Sequence, residues 1–455
     1  MPKPAPADRQ SRPAFLGDLL DTLTVRGRNL LRWRGAGGPV AAPDLAALGE
    51  LLLSRRGEAS GVALAHSLAT AFEEATPGER LAFLTLLADR FGPDPQAVAA
   101  AIAAVERGDP QALDALHAAS EPRRLELLRR LNLAPGGTAA LVRMRTELLG
   151  HLRDTPALRS VDADFAHLFA SWFNRGFLVL RPIAWTTPAN ILEKIIRYEA
   201  VHAIHTWDDL RNRLEPPDRR CYGFFHPQLT DEPLIFVEVA LTETMPETIA
   251  PLLDLTRQPI EAGRATTAVF YSISNTQRGL AGVSFGNFLI KQVVEELKAE
   301  LPEVRTFVTL SPVPGFAAWL ERVRADPSTS LLDADRRMAL AMLDDPGWHL
   351  DPGLAEAVRA ALLPVAAHYF LAGKDRSGRP LDPVARFHLG NGARLERLNF
   401  LGDTSEKGLR QSHGLMVNYL YDLDQIERNH EAFAETGQIA AADAVSRALP
   451  PVPAP

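Results

Sequence analysis

Ser311 stands where a run of strand-forming residues meets a stiff loop. Residues 305–320 read RTFVTLSPVPGFAAWL, in which Thr306 to Leu310 favour a strand. Pro312 and Pro314 cannot continue a paired strand, and each biases the residue before it towards extended geometry. The sequence therefore predicts that Ser311 lies at the rim of a sheet, either as a plain strand end or as a reactive group fixed in place.

His388 is the candidate proton donor. It precedes Gly390-Asn391-Gly392, which is a turn signal between two strand-like runs. A histidine at a strand end can titrate near neutral pH and donate a proton. The alternative is a half-buried histidine whose ring is satisfied by backbone groups.

A second serine, Ser284, lies in GVSFG at residues 282–286, which matches the G-x-S-x-G nucleophile elbow of α/β-hydrolases. An elbow serine directly follows its strand, whereas the strand before Ser284 is predicted to end near Asn275. This context disfavours a serine hydrolase. Candidates for the other triad members follow in that fold's chain order: Asp382 or Asp403, and His388 or His413.

The same segment also fits a phosphate-binding loop between a predicted strand and a predicted helix. Free backbone N–H groups and the positive end of the helix favour an anion there, and Arg278 could add a charge-assisted contact. The loop resembles the Q/R-x-x-G-x-G/A pyrophosphate loop of the GNAT acyltransferase superfamily, which holds coenzyme A. A glycine loop that only turns the chain is the plainer alternative. The residues concerned are Gln277, Arg278, Gly279, Gly282 and Gly286.

Two further histidine sites are candidates for a functional role. His202 and His205, followed by Asp208, could bind a metal, but an amphipathic helix end accounts better for their spacing. His413 precedes Gly414 and is a candidate for lining the substrate site.

The first half of the chain must be helical. TPGERLAFLTLLADRFG begins with Thr76 as N-cap and Glu79 completing a capping box, and Asp-Pro pairs open two later segments. We therefore predict an all-α helical bundle over residues 15–185. Residues 1–14 and 446–455 are predicted to be disordered ends.

The second half changes to a mixture of strands and helices. We predict an α/β or α+β domain over residues 186–445, with a βαβ unit whose crossover helix begins at NFLIKQVV. Ser311 ends the second strand of that unit, so coenzyme A on the glycine loop would bring an acyl group beside it. The predicted strands are residues 233–241, 266–274, 304–311, 366–373 and 393–401.

The composition excludes several classes of protein. The 455 residues are 46% hydrophobic and 23% charged with a net charge of −7, and no Lys/Arg block suggests a nucleic-acid partner. A single cysteine, Cys221, excludes an internal disulfide framework. No stretch reaches the roughly 18 apolar residues of a membrane span. We expect a cytoplasmic protein with neither nucleic acid nor membrane as partner.

Several long motifs resemble the malonyl-coenzyme A decarboxylase family, and they occur in the family's order over most of residues 190–425. They include FYSISNTQRGLAGVSFGNFLIKQVVEELKAELP, LSPVPGFAAWL, DPVARFHLGNGARLERLNF and SHGLMVNYLYDL. The family pairs an N-terminal helical domain used in oligomer assembly with a GNAT-like catalytic domain. It converts malonyl-CoA to acetyl-CoA and carbon dioxide without metal, biotin or other prosthetic group. The resemblance therefore implies malonyl-CoA as substrate, no cofactor, and a dimer or tetramer.

The resemblance also implies site residues. The family's catalytic serine corresponds to Ser311, its catalytic histidine to His388, and the tyrosine of NYLY that reaches the active site to Tyr421. Ser284 stands where relatives carry an acidic residue, so an acid there is not part of a shared mechanism in this chain. The family's coenzyme loop corresponds to Ala281, Gly282, Val283, Ser284, Phe285, Gly286 and Asn287.

A decarboxylase must stabilise a thioester enolate and protonate its carbon. Backbone N–H groups near the glycine loop or the strand ends could form the oxyanion site. We expect His388 to protonate Cα, and Ser311 to hold the departing carboxylate or relay a proton rather than attack as a nucleophile. The alternatives are a GNAT-type acyltransferase with an amine acceptor, a GxSxG hydrolase acting on acyl thioesters, and a non-enzymatic helical assembly factor.

Overall fold

The structure is a computed structural model that describes residues 44–54, 57–283 and 289–450. Residues 1–14 and 451–455 of the predicted disordered ends lie outside the described residues, as do Ser284 to Asn287 of the predicted coenzyme loop. Within the predicted end 446–455, Ser446 and Arg447 belong to the helix Asp443–Arg447. The chain divides into two compact units. The helical unit takes residues up to 177 together with 226–230 and 277–284, and the sheet unit takes 178–225, 231–276 and the remainder from 285.

Two helices of the helical unit begin with the capping signals that the sequence predicts. Thr76 and Glu79 form a capping box at the start of Pro77–Asp89, and Asp94 caps Pro95–Glu106 with Pro95 at the first helical position. The predicted helical N-terminal region is thereby confirmed within the described residues, whereas Val179–Pro182, inside the range 15–185 that was expected to be helical, forms a strand of the sheet unit. Its helices are α1 Leu45–Leu53, α2 Glu58–Glu74, α3 Pro77–Asp89, α4 Pro95–Glu106, α5 Ala112–Ser120, α6 Arg123–Asn132, α7 Gly137–His151 and α8 Leu158–Trp172.

The sheet unit contains a mixed eight-stranded sheet, which confirms the predicted α/β or α+β domain. Its order is β1-β2-β3-β4-β5-β8-β6, and β7 pairs with β8 outside that path. The strands are β1 Val179–Pro182, β2 Arg219–His226, β3 Leu229–Thr242, β4 Thr267–Asn275, β5 Thr306–Thr309, β6 Ser311–Pro312, β7 Arg394–Asn399 and β8 Met416–Leu420.

The helices of this unit cover the sheet and connect its strands. They are α9 Ala189–Tyr198, α10 Trp207–Leu214, α11 Ala250–Leu253, α12 Leu289–Glu300, α13 Phe316–Ala325, α14 Ala334–Ala341, α15 Pro352–Leu371, α16 Pro383–Gly390, α17 Glu406–Ser412, α18 Ile426–Thr436 and α19 Asp443–Arg447. Short 3-10 turns lie at Arg175–Phe177, Ala262–Arg264, Arg278–Leu280, Met342–Asp344 and Trp348–Leu350.

The pairing of β4 with β5 brings the chain to Ser311. These two strands are parallel over residues 267–270 and 306–309, with α12 between them in sequence, as the predicted βαβ unit requires. After Thr309 the chain leaves β4, which continues to Asn275, and turns towards β8. The two parallel strands therefore separate at the point where the predicted serine lies.

The prediction that Pro312 cannot continue a paired strand is wrong. Ser311 and Pro312 pair antiparallel with Val417 and Met416, which makes them a two-residue strand at the end of the sheet order. Proline is tolerated on an edge strand because its missing N–H is not needed there.

Two further elements differ from expectation. Residues 366–373 are not a strand, because all but the last two belong to α15, and a short apolar run has no periodicity that separates strand from buried helix. His388 lies in α16 rather than at a strand end. Asp382 caps this helix by accepting from the Ala385 N–H at 2.8 Å, and Pro383 occupies its first position.

Helix α15 is long and apolar, with mean hydropathy 1.3 in its most apolar window. Among the described residues it is the one helix that could cross a membrane by length and composition. Buried core helices pass the same test, and Val358, Leu362, Val365 and Phe370 of α15 are buried in the sheet unit.

Candidate active site

The structure brings three of the predicted site residues into one hydrogen-bonded row. Ser311 Oγ lies 3.2 Å from His388 Nε2, and His388 Nδ1 lies 2.8 Å from the hydroxyl of Tyr421. Ser311 begins β6, His388 lies in the last turn of α16, and Tyr421 directly follows β8. All three side chains are buried.

The direction of these hydrogen bonds follows from Thr309. Ser311 Oγ donates its proton to Thr309 Oγ1 at 2.9 Å, so towards His388 the serine oxygen acts as an acceptor. His388 therefore carries its proton on Nε2, and its Nδ1 accepts from the Tyr421 hydroxyl. This tautomer is assigned from the hydrogen-bond network.

Burial keeps the His388 imidazole uncharged. Only 3% of the residue is exposed, and its ring stacks on Tyr419 with centroids 4.6 Å apart. Loss of solvation lowers the pKa of His388 to about 3 and raises the pKa of Tyr421 well above its usual value. The expectation that this histidine titrates near neutral pH does not hold in the folded chain, because that expectation placed it at an accessible strand end.

Ser311 and His388 open onto a cavity of about 260 Å³ in the sheet unit. Its wall is largely aliphatic and aromatic, and among the described residues that line it there is no Asp, Glu, Lys or Arg. The lining residues are Val201, Ile235, Val237, Phe270, Tyr271, Ile273, Asn275, Leu289, Ile290, Ser311, Pro312, Pro383, Val384, Phe387 and His388. A larger groove of about 660 Å³ in the helical unit contains none of the predicted site residues in its wall.

The sequence analysis did not identify Thr309, which accepts the hydrogen bond from Ser311, or Asn418, which helps to fix Thr309 in place. Thr309 Oγ1 accepts from the Tyr419 N–H at 3.1 Å, and Asn418 Nδ2 donates to the Thr309 carbonyl at 2.7 Å. Thr309 and Asn418 are both fully buried. The period of a strand offers a signal for Thr309, since it lies two residues before Ser311 and therefore on the same side of an extended chain.

The hydrolase triad does not form around His388. Its Nδ1 is held by a phenol rather than a carboxylate, and Asp382 is used as the N-cap of α16. Ser284 lies outside the described residues. His413 ends α17 with φ 52 and does not line the cavity.

The described part of the predicted coenzyme loop belongs to the helical unit. Ala281, Gly282 and Val283 follow the 3-10 turn Arg278–Leu280, and Gly282 has φ +75. Arg145 of α7 donates to the Gly279 carbonyl at 2.9 Å, and this close packing requires glycine: a Cβ there would lie 2.0 Å from the Val142 carbonyl oxygen.

The predicted histidine cluster does not converge on one point. His202 is buried beside the carboxylate of Glu199, which accepts from its backbone N–H, whereas His205 is exposed. Burial lowers the pKa of His202 to about 4. No group of three or more His, Cys, Asp or Glu side chains able to hold a metal occurs within the described ranges.

Comparison with known proteins agrees with the resemblance of the motifs. The family model described as the malonyl-CoA decarboxylase C-terminal domain matches residues 176–454, and that of the N-terminal domain matches residues 91–173. The mitochondrial malonyl-CoA decarboxylase of Anser anser anser is 37% identical over 359 residues, covering 74% of this chain and 71% of the relative. The Rattus norvegicus enzyme is 35% identical over 359 residues, covering 74% and 73%.

Solved structures are more similar still. The crystal structure of malonyl-CoA decarboxylase from Rhodopseudomonas palustris is 66% identical with a TM-score of 0.87, covering 90% of this chain and 100% of that one. The structure from Agrobacterium vitis is 58% identical with a TM-score of 0.85 and the same coverage. The chain belongs to the malonyl-CoA decarboxylase family.

Proposed function

We propose that the chain converts malonyl-CoA to acetyl-CoA and carbon dioxide, with the chemistry at Ser311 and His388. The observation that carries the proposal is the hydrogen-bonded row of Ser311, His388 and Tyr421 at the wall of a cavity whose described lining residues carry no charge. Family membership supports malonyl-CoA as the substrate.

The apolar cavity favours the bond cleavage itself. The malonyl carboxylate carries a charge, whereas carbon dioxide is neutral. A cavity whose described wall offers no cation and little hydration therefore stabilises the leaving group better than it stabilises the carboxylate. The aliphatic wall formed by Ile235, Val237, Ile273 and Ile290 supplies that environment.

His388 supplies the proton that the reaction consumes. When the C–C bond breaks, its electron pair passes to Cα and onto the thioester oxygen as an enolate. Cα then takes the proton from His388 Nε2 while Nδ1 takes the proton of the Tyr421 hydroxyl. After the products leave, a solvent proton from the cavity returns to Nε2, and Nδ1 gives its proton back to the Tyr421 oxygen, which restores the starting tautomer. Because an enolate carbon is strongly basic, a neutral imidazole backed by this second proton is a sufficient acid.

Ser311 orients this donor. Its oxygen accepts from His388 Nε2–H at 3.2 Å and so holds that proton at the cavity wall until the carbanion forms. In this role the serine makes no covalent bond to the substrate, as the sequence predicted.

The mechanism requires no metal or prosthetic group, because the proton donors come from the chain itself. We extend the proposal to self-association through the helical unit, as a dimer or tetramer, and to a cytoplasmic location. Light scattering on the purified chain measures the first of these. If the reaction is independent of metal, turnover should be unchanged by a chelator.

Product analysis tests the proposal. Purified protein is given malonyl-CoA and a chelator, and acetyl-CoA and released carbon dioxide are measured. Ser311→Ala and His388→Gln should each remove most turnover, at least about 100-fold for the histidine, while the affinity for coenzyme A is nearly unchanged. His205→Gln, a change at an exposed position, is the matched control. Unimpaired decarboxylation by both site variants, or acylation of an added amine without carbon dioxide release, would refute the assignment.

A further inference from the structure

Ser311 and His388 have the geometry of a nucleophile and its base. A hydroxyl 3.2 Å from an imidazole nitrogen is the arrangement that activates serine in acyl transfer, and a thioester is a good acyl donor. The proposed function places such a thioester beside the pair. Something must therefore prevent Ser311 from attacking the thioester carbonyl.

The difference from an activated serine lies in the direction of one proton. In an activated pair the serine O–H points at an unprotonated ring nitrogen. Here the Ser311 O–H points at Thr309 Oγ1 at 2.9 Å, and the serine oxygen receives the Nε2 proton instead. A nitrogen that already carries a proton cannot remove one from serine.

Thr309 is fixed well enough to impose this direction. Its oxygen accepts from the Tyr419 N–H at 3.1 Å, and its carbonyl accepts from Asn418 Nδ2 at 2.7 Å. The residue is fully buried, and its branched side chain has restricted rotation about χ1. Tyr421 reinforces the arrangement from the other side, since its O–H donates to Nδ1 and leaves Nε2 as the protonated position.

From these contacts we infer that Thr309 is a positioning residue which, by accepting the Ser311 proton, commits the Ser311–His388 pair to decarboxylation and suppresses hydrolysis of the thioester. This inference rests on the proposed function. It adds the residue that decides between decarboxylation and hydrolysis of the thioester. In the suppressed reaction Ser311 Oγ would bond to the thioester carbon and the C–S bond would break. The serine proton would pass through His388 to the coenzyme A sulfur, and water would then cleave the acyl-serine ester.

The test compares Thr309→Val, which keeps the shape but removes the hydroxyl, with Thr309→Ser, which keeps the hydroxyl. We expect kcat for carbon dioxide release to fall roughly tenfold in Thr309→Val, with KM changed less than about twofold, since Ser311 Oγ loses the neutral acceptor of its proton. The Tyr419 N–H loses its acceptor in the same variant. Release of free coenzyme A thiol from acetyl-CoA should rise about tenfold or more over wild type. Thr309→Ser should restore both values.

A double variant identifies the nucleophile. Adding Ser311→Ala to Thr309→Val should return thiol release to the wild-type background, because the attacking oxygen is gone. Thiol release by Thr309→Val at the wild-type level, equal loss of carbon dioxide release in Thr309→Ser, or thiol release that persists in the double variant would each overturn the inference.

A measurement on the wild-type protein keeps the inference testable even if Thr309→Val does not fold. Nitrogen-15 NMR of histidine-labelled protein distinguishes the two neutral tautomers, and the His388→Gln spectrum assigns the signal. We expect protonated Nε2 and unprotonated Nδ1. The opposite tautomer overturns the inference. Absence of decarboxylation with the expected tautomer would count against the proposed function instead, so the two failures are distinguishable.

Discussion

The pH dependence of kcat/KM tests how completely His388 is buried. Burial lowers the pKa of its imidazole to about 3, and the proposed chemistry uses the neutral ring. At pH 5 a group with that pKa is about 99% neutral, whereas a histidine with an ordinary pKa of about 6.5 is only about 3% neutral. Between pH 7.5 and pH 5, kcat/KM should therefore change by less than about twofold on account of His388. An ordinary histidine would cause a loss of about 30-fold.

The assay must separate His388 from other groups that titrate. The ratio kcat/KM reports ionisations of the free enzyme and free substrate, which is the state that the structure describes. A malonyl thioester of pantetheine, which lacks the phosphates of coenzyme A, removes their ionisation from the profile. Samples returned from pH 5 to pH 7.5 must regain full activity, which excludes irreversible unfolding as the cause of any loss.

A second readout follows the ring itself. The NMR signal of His388, assigned through His388→Gln, should show no titration between pH 5 and pH 8. A tenfold fall of kcat/KM per pH unit below 6.5, together with a His388 signal that titrates over the same range, would refute the reasoning. The imidazole would then be reached by water in solution, and a charged ring would become the proton donor.

Three other changes have defined outcomes. Folding lowers the pKa of His202 to about 4 and the pKa of His388 to about 3, so below pH 6.5 each binds fewer protons in the folded chain than in the unfolded chain. The free energy of unfolding is therefore highest above pH 6.5, and it should fall by about 2 kcal/mol per histidine between pH 7 and pH 5. Replacing either histidine by Gln should remove about 2 kcal/mol of this loss, measured by denaturant unfolding at pH 7 and at pH 5. A pH dependence equal to that of the wild type would contradict this. Tyr421→Phe keeps the ring but removes the second proton, so kcat should fall about 10-fold to 100-fold with little change in KM; an unaltered kcat in steady-state assays would exclude the phenol from the proton path. Gly392→Ala should lower the free energy of unfolding by at least about 2 kcal/mol, because a Cβ at φ +80 would lie 2.0 Å from a main-chain carbonyl oxygen. Gly378→Ala, with φ +79 and open space around it, is the control that isolates backbone strain, and equal melting temperatures for the two variants would argue against the clash.

Much of the fold could be predicted from local signals. The capping box at Thr76 and Glu79 and the parallel strands around α12 appear where the sequence indicates. The error at His388 was avoidable in part, because Asp382-Pro383 opens α16 with the same signal that Asp94-Pro95 gives for α4. The Gly390-Asn391-Gly392 turn follows a helix as readily as a strand, so it does not identify the element before it.

The site could be predicted only as a set of separate residues. The pairing of Ser311 with Val417 joins segments more than 100 residues apart, and no local pattern encodes such a pairing. The lowered pKa of His388 likewise depends on Tyr419 and on the burial of the whole ring, which are tertiary features. Thr309 lies two residues before Ser311, which places both side chains on one side of an extended chain. Its importance depends on the Ser311 hydroxyl donating to it, and that direction is defined only by the hydrogen bonds of the folded protein.

In the proposed mechanism the two halves of the reaction make different demands on the site. Bond cleavage needs a place where a carboxylate is poorly stabilised, and a cavity whose described lining residues carry no charge meets that need. Protonation of carbon needs a donor that is present without a charge of its own, since a permanent cation beside the cavity would stabilise the carboxylate and oppose its loss. A buried neutral imidazole whose second nitrogen is held by a phenol satisfies both requirements at once. A low pKa would impair a histidine that must be positively charged to act as an acid. In the proposed mechanism the low pKa of His388 is no disadvantage, because the neutral imidazole has only to protonate a carbanion.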